Sequence, residues 1–188
     1  DKIINLKAEV VDIAGNKTVI NIASTKLFID TTIPTISRVE SIDANDGSVR
    51  NGIFGIDSTI NIKFTFSENI TLTDGVAQVG FDNSIISVPE IASANLQNTS
   101  TVTMPYTVQA NDVSSLLTFT GLTLPTGNKL RDIAGNDMNV FTANDGFSLE
   151  DLSVIEIDGL APSAFSVDTV YVQGSNVVSG YWNSNSTS

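Results

Sequence analysis

Ile60-Asn61-Ile62-Lys63-Phe64-Thr65-Phe66 alternates apolar and polar side chains at every step. Successive side chains of an extended chain point to opposite faces, so this period puts Ile60, Ile62, Phe64 and Phe66 on a buried face and Asn61, Lys63 and Thr65 toward water. Similar alternation, rich in Val, Ile, Thr and Phe, runs through 35–42, 76–81, 100–108, 116–124 and 154–157. Turn clusters separate these runs: Asn45-Asp46-Gly47, Asn51-Gly52, Asp74-Gly75 and Thr126-Gly127-Asn128. No stretch carries the apolar period of about 3.6 residues that an amphipathic helix requires. Short strands with turns at this spacing predict an all-β fold, an immunoglobulin-like antiparallel β-sandwich.

Outward from that strand, the chain repeats itself. Asp12-Ile13-Ala14-Gly15-Asn16 recurs as Asp132-Ile133-Ala134-Gly135-Asn136, and each copy leads to an Ile-Asp step and then a proline, at Ile29-Asp30 with Pro34 and at Ile157-Asp158 with Pro162. Asp12 to Asp132 is 120 residues and Asp30 to Asp158 is 128, so the second copy holds an insertion of eight residues, assigned to 142–153. This period is longer than the roughly 20 to 50 residues of solenoid repeats and indicates whole domains in tandem. The expected division is 1–32 as the closing strands of a preceding module with a linker, 33–158 as one complete module, and 159–188 as a linker and the opening strands of the next. At roughly 125 residues the complete module can bury a core without staples. Pro34 and Pro162 stand at module entrances, where a fixed φ stiffens the junction.

Composition excludes much chemistry. With 41% hydrophobic residues the chain is expected to fold, and its apolar runs are far too short to span a bilayer as helices. There is no signal-peptide pattern at the start, so residue 1 is expected to lie inside a longer polypeptide. There is no cysteine and no histidine, which removes disulfides, thiolate metal sites and imidazole bases. A net charge of −12 argues against nucleic acid and anionic membranes as partners and favours divalent cations or simple solubilisation. A glycosidase needs paired carboxylates in a cleft and a serine hydrolase needs a base beside its nucleophile; neither constellation is visible, so no enzymatic activity is expected.

Four segments in order carry a resemblance: Asp-x-Ala-Gly-Asn, then Ile29-Asp30-Thr31-Thr32-Ile33-Pro34-Thr35-Ile36-Ser37, then Phe64-Thr65-Phe66-Ser67-Glu68, then Tyr106-Thr107-Val108-Gln109-Ala110-Asn111-Asp112. Together they are similar to the repeat consensus of bacterial immunoglobulin-like domains in giant surface adhesins, and the match spans nearly the whole central module. Ser179-Gly180-Tyr181-Trp182-Asn183-Ser184 resembles the start of a different repeat in the SprB-type gliding adhesins of Bacteroidota. The resemblance implies an extracellular filament on a bacterial cell surface, built from many such modules as stalk or spacer in adhesion or gliding. Its partners would be neighbouring modules of the same chain, and surface glycans or other cells. It also implies a place for calcium between adjacent modules, where carboxylates from two domains share one ion.

On an immunoglobulin-like topology Asp30, Glu68, Asp132 and Asn136 would gather at the entrance of the module, and Asp46, Asp112 and Asp158 at its exit. For each of these residues a second reading stands beside cation binding, because Asn-Asp and Asp-Gly pairs make Asx turns and Ala-Asn-Asp recurs at Ala44, Ala110 and Ala143. In Asp-x-Ala-Gly-Asn the structural reading dominates: the glycine supplies a positive φ and the polar side chains satisfy backbone amides. The rival function is a carbohydrate-binding module, which would need exposed aromatic rings; Tyr171, Tyr181 and Trp182 are the candidates, while Phe64, Phe66, Phe119 and Tyr106 are expected in or beside the core.

Overall fold

The computed structural model describes residues 2–82 and 88–163. An antiparallel hairpin comes first, β1 (Lys2–Val11) with β2 (Lys17–Ile29). Residues 33–158, the segment expected to be one complete module, hold β3 (Ile36–Ile42), β4 (Gly52–Gly55), β5 (Thr59–Leu72), β6 (Val76–Phe81), β7 (Glu90–Ala92), a 3-10 turn at Ser93–Asn95, β8 (Thr99–Thr107), β9 (Val113–Ser114), β10 (Phe119–Thr123), β11 (Leu130–Asp132), one helical turn α1 (Leu149–Leu152) and β12 (Ile155–Asp158). The expected strands are therefore present, within a few residues at their ends. Tyr171, Tyr181, Trp182 and most of the 159–188 segment lie outside the described residues.

β5 organises the module. Its first half pairs antiparallel with β3 on one side and β8 on the other, and its second half pairs with β11. A second sheet runs β10-β6-β7 and a third β4-β12-β9. The inward side chains Ile60, Ile62, Phe64 and Phe66 are at most 3% exposed, as the two-residue period requires. Phe64 meets Phe119 of β10 edge-on, ring centroids 5.5 Å apart, which joins the first sheet to the second. Burial of this continuous cluster, completed by Val79, Ile91, Leu122, Ile155 and Ile157, is the main stabilising term of the all-β sandwich.

One pairing departs from the antiparallel expectation. β12 runs parallel to β4, Ile155 opposite Gly52 through Asp158 opposite Gly55. Parallel neighbours need a long crossover, and here the crossover is nearly the whole module. The chain thus leaves at the end opposite to its arrival. Gly159 lies against the start of β5 through Asp112 and Gln109, whereas Glu68 stands nine residues further along that strand, about 30 Å away at roughly 3.3 Å per residue.

The segment expected to hold the insertion has a structural role. β3 is an edge strand, and residues 143–153 run along its outer side: Asn144 N–H donates to Ile36 C=O at 3.1 Å, Val39 N–H to Phe147 C=O at 2.9 Å, and Ser41 N–H to Ser153 Oγ at 2.9 Å. A capping box between Ser148 and Asp151 starts the α1 turn, which buries Leu149. Covering an edge in this way removes a template for unwanted strand pairing. Among the described residues no helix is long and apolar enough to cross a membrane.

Candidate cation site at the module entrance

The Asp-Ile-Ala-Gly-Asn turn folds the same way twice. Asp12 N–H donates to Asn16 C=O at 2.9 Å and Gly15 N–H to Asp12 C=O at 3.0 Å; the second copy makes the same pair at 3.2 and 3.4 Å. Gly15 and Gly135 take φ of 86° and 96°, the left-handed position of a three-residue hairpin loop. The aspartate carboxylate closes the turn, Asp132 accepting from Gly135 N–H at 2.7 Å, Asn136 N–H at 2.8 Å and Asn136 Nδ2 at 2.7 Å. The structural expectation for this motif is met in both copies.

That turn holds Asp132 rigidly beside two other acids. Oxygens of Asp30, Glu68 and Asp132 lie within 4.8 Å of one another. The three come from different elements: Asp30 follows β2, Asp132 ends β11, and Glu68 lies on β5 where its register with β8 shifts between Thr65 and Ile70. Glu68 holds the inward parity of that strand, between buried Phe66 and buried Ile70. A register break of this kind re-aims the side chains at the end of a strand.

Electrostatics at the site are one-sided. Burial, then the charges of Asp132 and Asp30, push Glu68 above the ordinary glutamate range, and its Oε1 has no hydrogen-bond partner. Asp132 is 4% exposed. Burial alone would raise it, but the donors from Asn136, Gly135 and Ala134 outweigh that and hold it below the ordinary range. The module's ion pairs, Arg38 with Glu40 and both Lys129 and Arg131 with Asp137, leave these three acids out. Asn136 directs its amide nitrogen to Asp132 Oδ2 and to the Asp30 C=O, the latter at 3.2 Å, so it orients the cluster as a donor. Thr32 N–H in turn donates to Asp30 Oδ1 at 2.9 Å. Clustered hard oxygens of this kind suit calcium, which takes about six to eight of them.

The three acids expected at the exit do not form such a group among the described residues. Asp46 is spent in a turn, accepting from Ser48 N–H at 2.9 Å and Ser48 Oγ at 2.7 Å. Asp158 accepts from Leu160 N–H at 3.2 Å. Asp112 is wholly buried, accepting from the Tyr106 hydroxyl and from Gln109 N–H. Gly159 completes this strut: it donates to Asp112 C=O at 2.7 Å, and a Cβ there would lie 2.4 Å from Gln109 C=O; the sequence pointed to a corner or core-edge role for Tyr106 but not to Asp112 and Gly159 as its partners. The signal was present in Tyr106 standing six residues before Asp112, but the Ala-Asn-Asp triplet itself does not separate that turn from the exposed one at Asp46.

No family model matches the chain, and neither a curated protein nor a solved structure matches it.

Proposed function

We propose that the chain is a non-catalytic repeat of a bacterial cell-surface adhesin, an immunoglobulin-like spacer whose entrance junction is stiffened by calcium. The observation that carries this reading is the meeting of Asp30, just after the β2 strand, with Glu68 and Asp132 of the following module. A cation shared by these carboxylates would relieve their repulsion and tie the preceding hairpin to the module, fixing the angle between them. Further support comes from the repeated turn with the same backbone hydrogen bonds in both copies, and from arrival and departure at opposite ends, which suits modules strung in a line.

Thermal unfolding of residues 1–188 in excess EDTA and in excess calcium tests the reading. A ligand at one hundred times its Kd adds about 2.7 kcal/mol. An upward shift of the transition is expected. Identical transitions would remove calcium from the account and leave a plain structural spacer.

A further inference from the structure

β4 meets β12 through a clamp at its start. Asn51 Oδ1 accepts from Val154 N–H at 2.7 Å, and Gly52 N–H donates to Val154 C=O at 3.0 Å. The parallel ladder continues from there, Ile155 opposite Gly52 through Asp158 opposite Gly55. Each half of the pair is required by the backbone around it. Gly52 takes φ of 144°, which a residue with a Cβ rarely adopts, and Asn51 brings a side-chain acceptor to a backbone N–H that lies just before β12. Together they form the one Asn-Gly step of the sequence, and both residues are exposed to water.

That dipeptide is chemically labile, because no Cβ on the second residue hinders attack on the first. The Gly52 nitrogen closes on Asn51 Cγ: an N–Cγ bond forms, the Cγ–Nδ2 bond breaks, and Nδ2 leaves as ammonia with the Gly52 amide proton, giving a five-membered imide. Water then opens the ring. Addition at Cγ gives aspartate; addition at the Asn51 main-chain carbonyl gives isoaspartate, in which the chain runs through Cβ and Cγ and is longer by a methylene. In the paired ladder both reacting ends are tied to Val154, since the nucleophilic nitrogen is bonded to its C=O and the side-chain carbonyl to its N–H. Water reaches the site, so the rate is governed by local opening, which frees both ends at once.

We propose that Asn51-Gly52 is a deamidation site gated by the β4–β12 ladder, protected while the ladder is paired and reactive when it opens, and that the isoaspartate product bars re-pairing. Arg50 N–H is bonded to Ser41 C=O on one side of the added methylene and Gly52 N–H to Val154 C=O on the other, which leaves it no slack. Peptide mapping by mass spectrometry, after incubation of residues 1–188 in mildly alkaline buffer with and without urea, reads Asn51 directly. Its deamidation should be at least about tenfold slower folded than in urea. Val154→Pro removes the N–H that holds Asn51 and suits the extended backbone of Ser153 before it, at φ −140° and ψ 130°; it should raise the folded rate roughly tenfold. Where that variant does not fold, the parent in urea below its unfolding transition answers the same question: deamidation and hydrogen exchange of the Gly52 amide should rise together. Equal rates folded and unfolded, or deamidation that rises neither with Val154→Pro nor with exchange of that amide, overturns the gating. Purified isoaspartate chains should fail to regain the parent's melting temperature, whereas Asn51→Asp, which keeps an acceptor for Val154 N–H, should regain it. Isoaspartate chains that melt like the parent, or Asn51→Asp chains that melt no higher than they do, overturn the bar to re-pairing.

Discussion

Glu68→Gln should change stability in opposite directions with and without cation. In EDTA near neutral pH, the parent carries three carboxylates with oxygens within 4.8 Å of one another, and the buried Oε1 of Glu68 lacks a hydrogen-bond partner. Two unit charges at that separation repel by about 3.5 kcal/mol at an effective dielectric of about 20, and partial exposure of Asp30 and Glu68 discounts this to about 1 to 2 kcal/mol. Glutamine removes the repulsion, so the variant should melt roughly 3 to 8 °C higher than the parent. Because Glu68 is raised above its ordinary value of 4.5, its penalty is fully present above the folded pKa and fades as the pH falls through it toward 4.5. The advantage of the variant should fade over the same interval. In excess calcium the order should reverse, because the parent gains about 2.7 kcal/mol at one hundred times Kd and the variant has lost a charged ligand. Differential scanning calorimetry in the two buffers reads both arms. A variant that melts below the parent in EDTA would refute the repulsion argument, and one that keeps the full calcium shift would refute Glu68 as a ligand.

Gly135→Val should cost about 1 to 3 kcal/mol through the positive φ alone, since a Cβ there meets nothing within 4 Å; Gly15→Val, in the same turn of the hairpin, should leave the main melting transition of the module in place. Gly159→Ala drives a methyl group to within 3 Å of three backbone atoms of Gln109 and Asp112, and should lower stability by about 3 kcal/mol in urea titration. Tyr106→Phe takes one donor from the buried Asp112 carboxylate and should cost about 1 to 3 kcal/mol, against little change for Thr107→Val on the exposed face of the same strand.

The strands were legible because their chemistry is local: the buried parity of Ile60 to Phe66 follows from a two-residue period and needs no partner to be known. The entrance cluster was legible for a different reason. Two copies of one turn fixed which residues bracket a module, and Glu68 was the acid set in strong strand sequence. What stayed hidden depends on contacts between distant residues. Val39 bonding to Phe147 and Ser41 to Ser153 cannot be read from either segment alone. Asp46 and Asp112 share the Ala-Asn-Asp context, yet one is exposed and one wholly buried, because only Asp112 stands within reach of the Tyr106 hydroxyl. The inward side of Asn136 was expected to offer oxygen and offers nitrogen, which is set by the bond to Asp132.

The parallel run of β4 beside β12 bears on how the molecule meets force. A tether pulled at both ends draws the first strands and the last in opposite directions along a shared ladder, so its hydrogen bonds from Ile155 to Asp158 are loaded together in shear. A ladder peeled from one end breaks bond by bond; a sheared ladder must break all at once. The module is therefore built to yield late and abruptly when stretched along its strands.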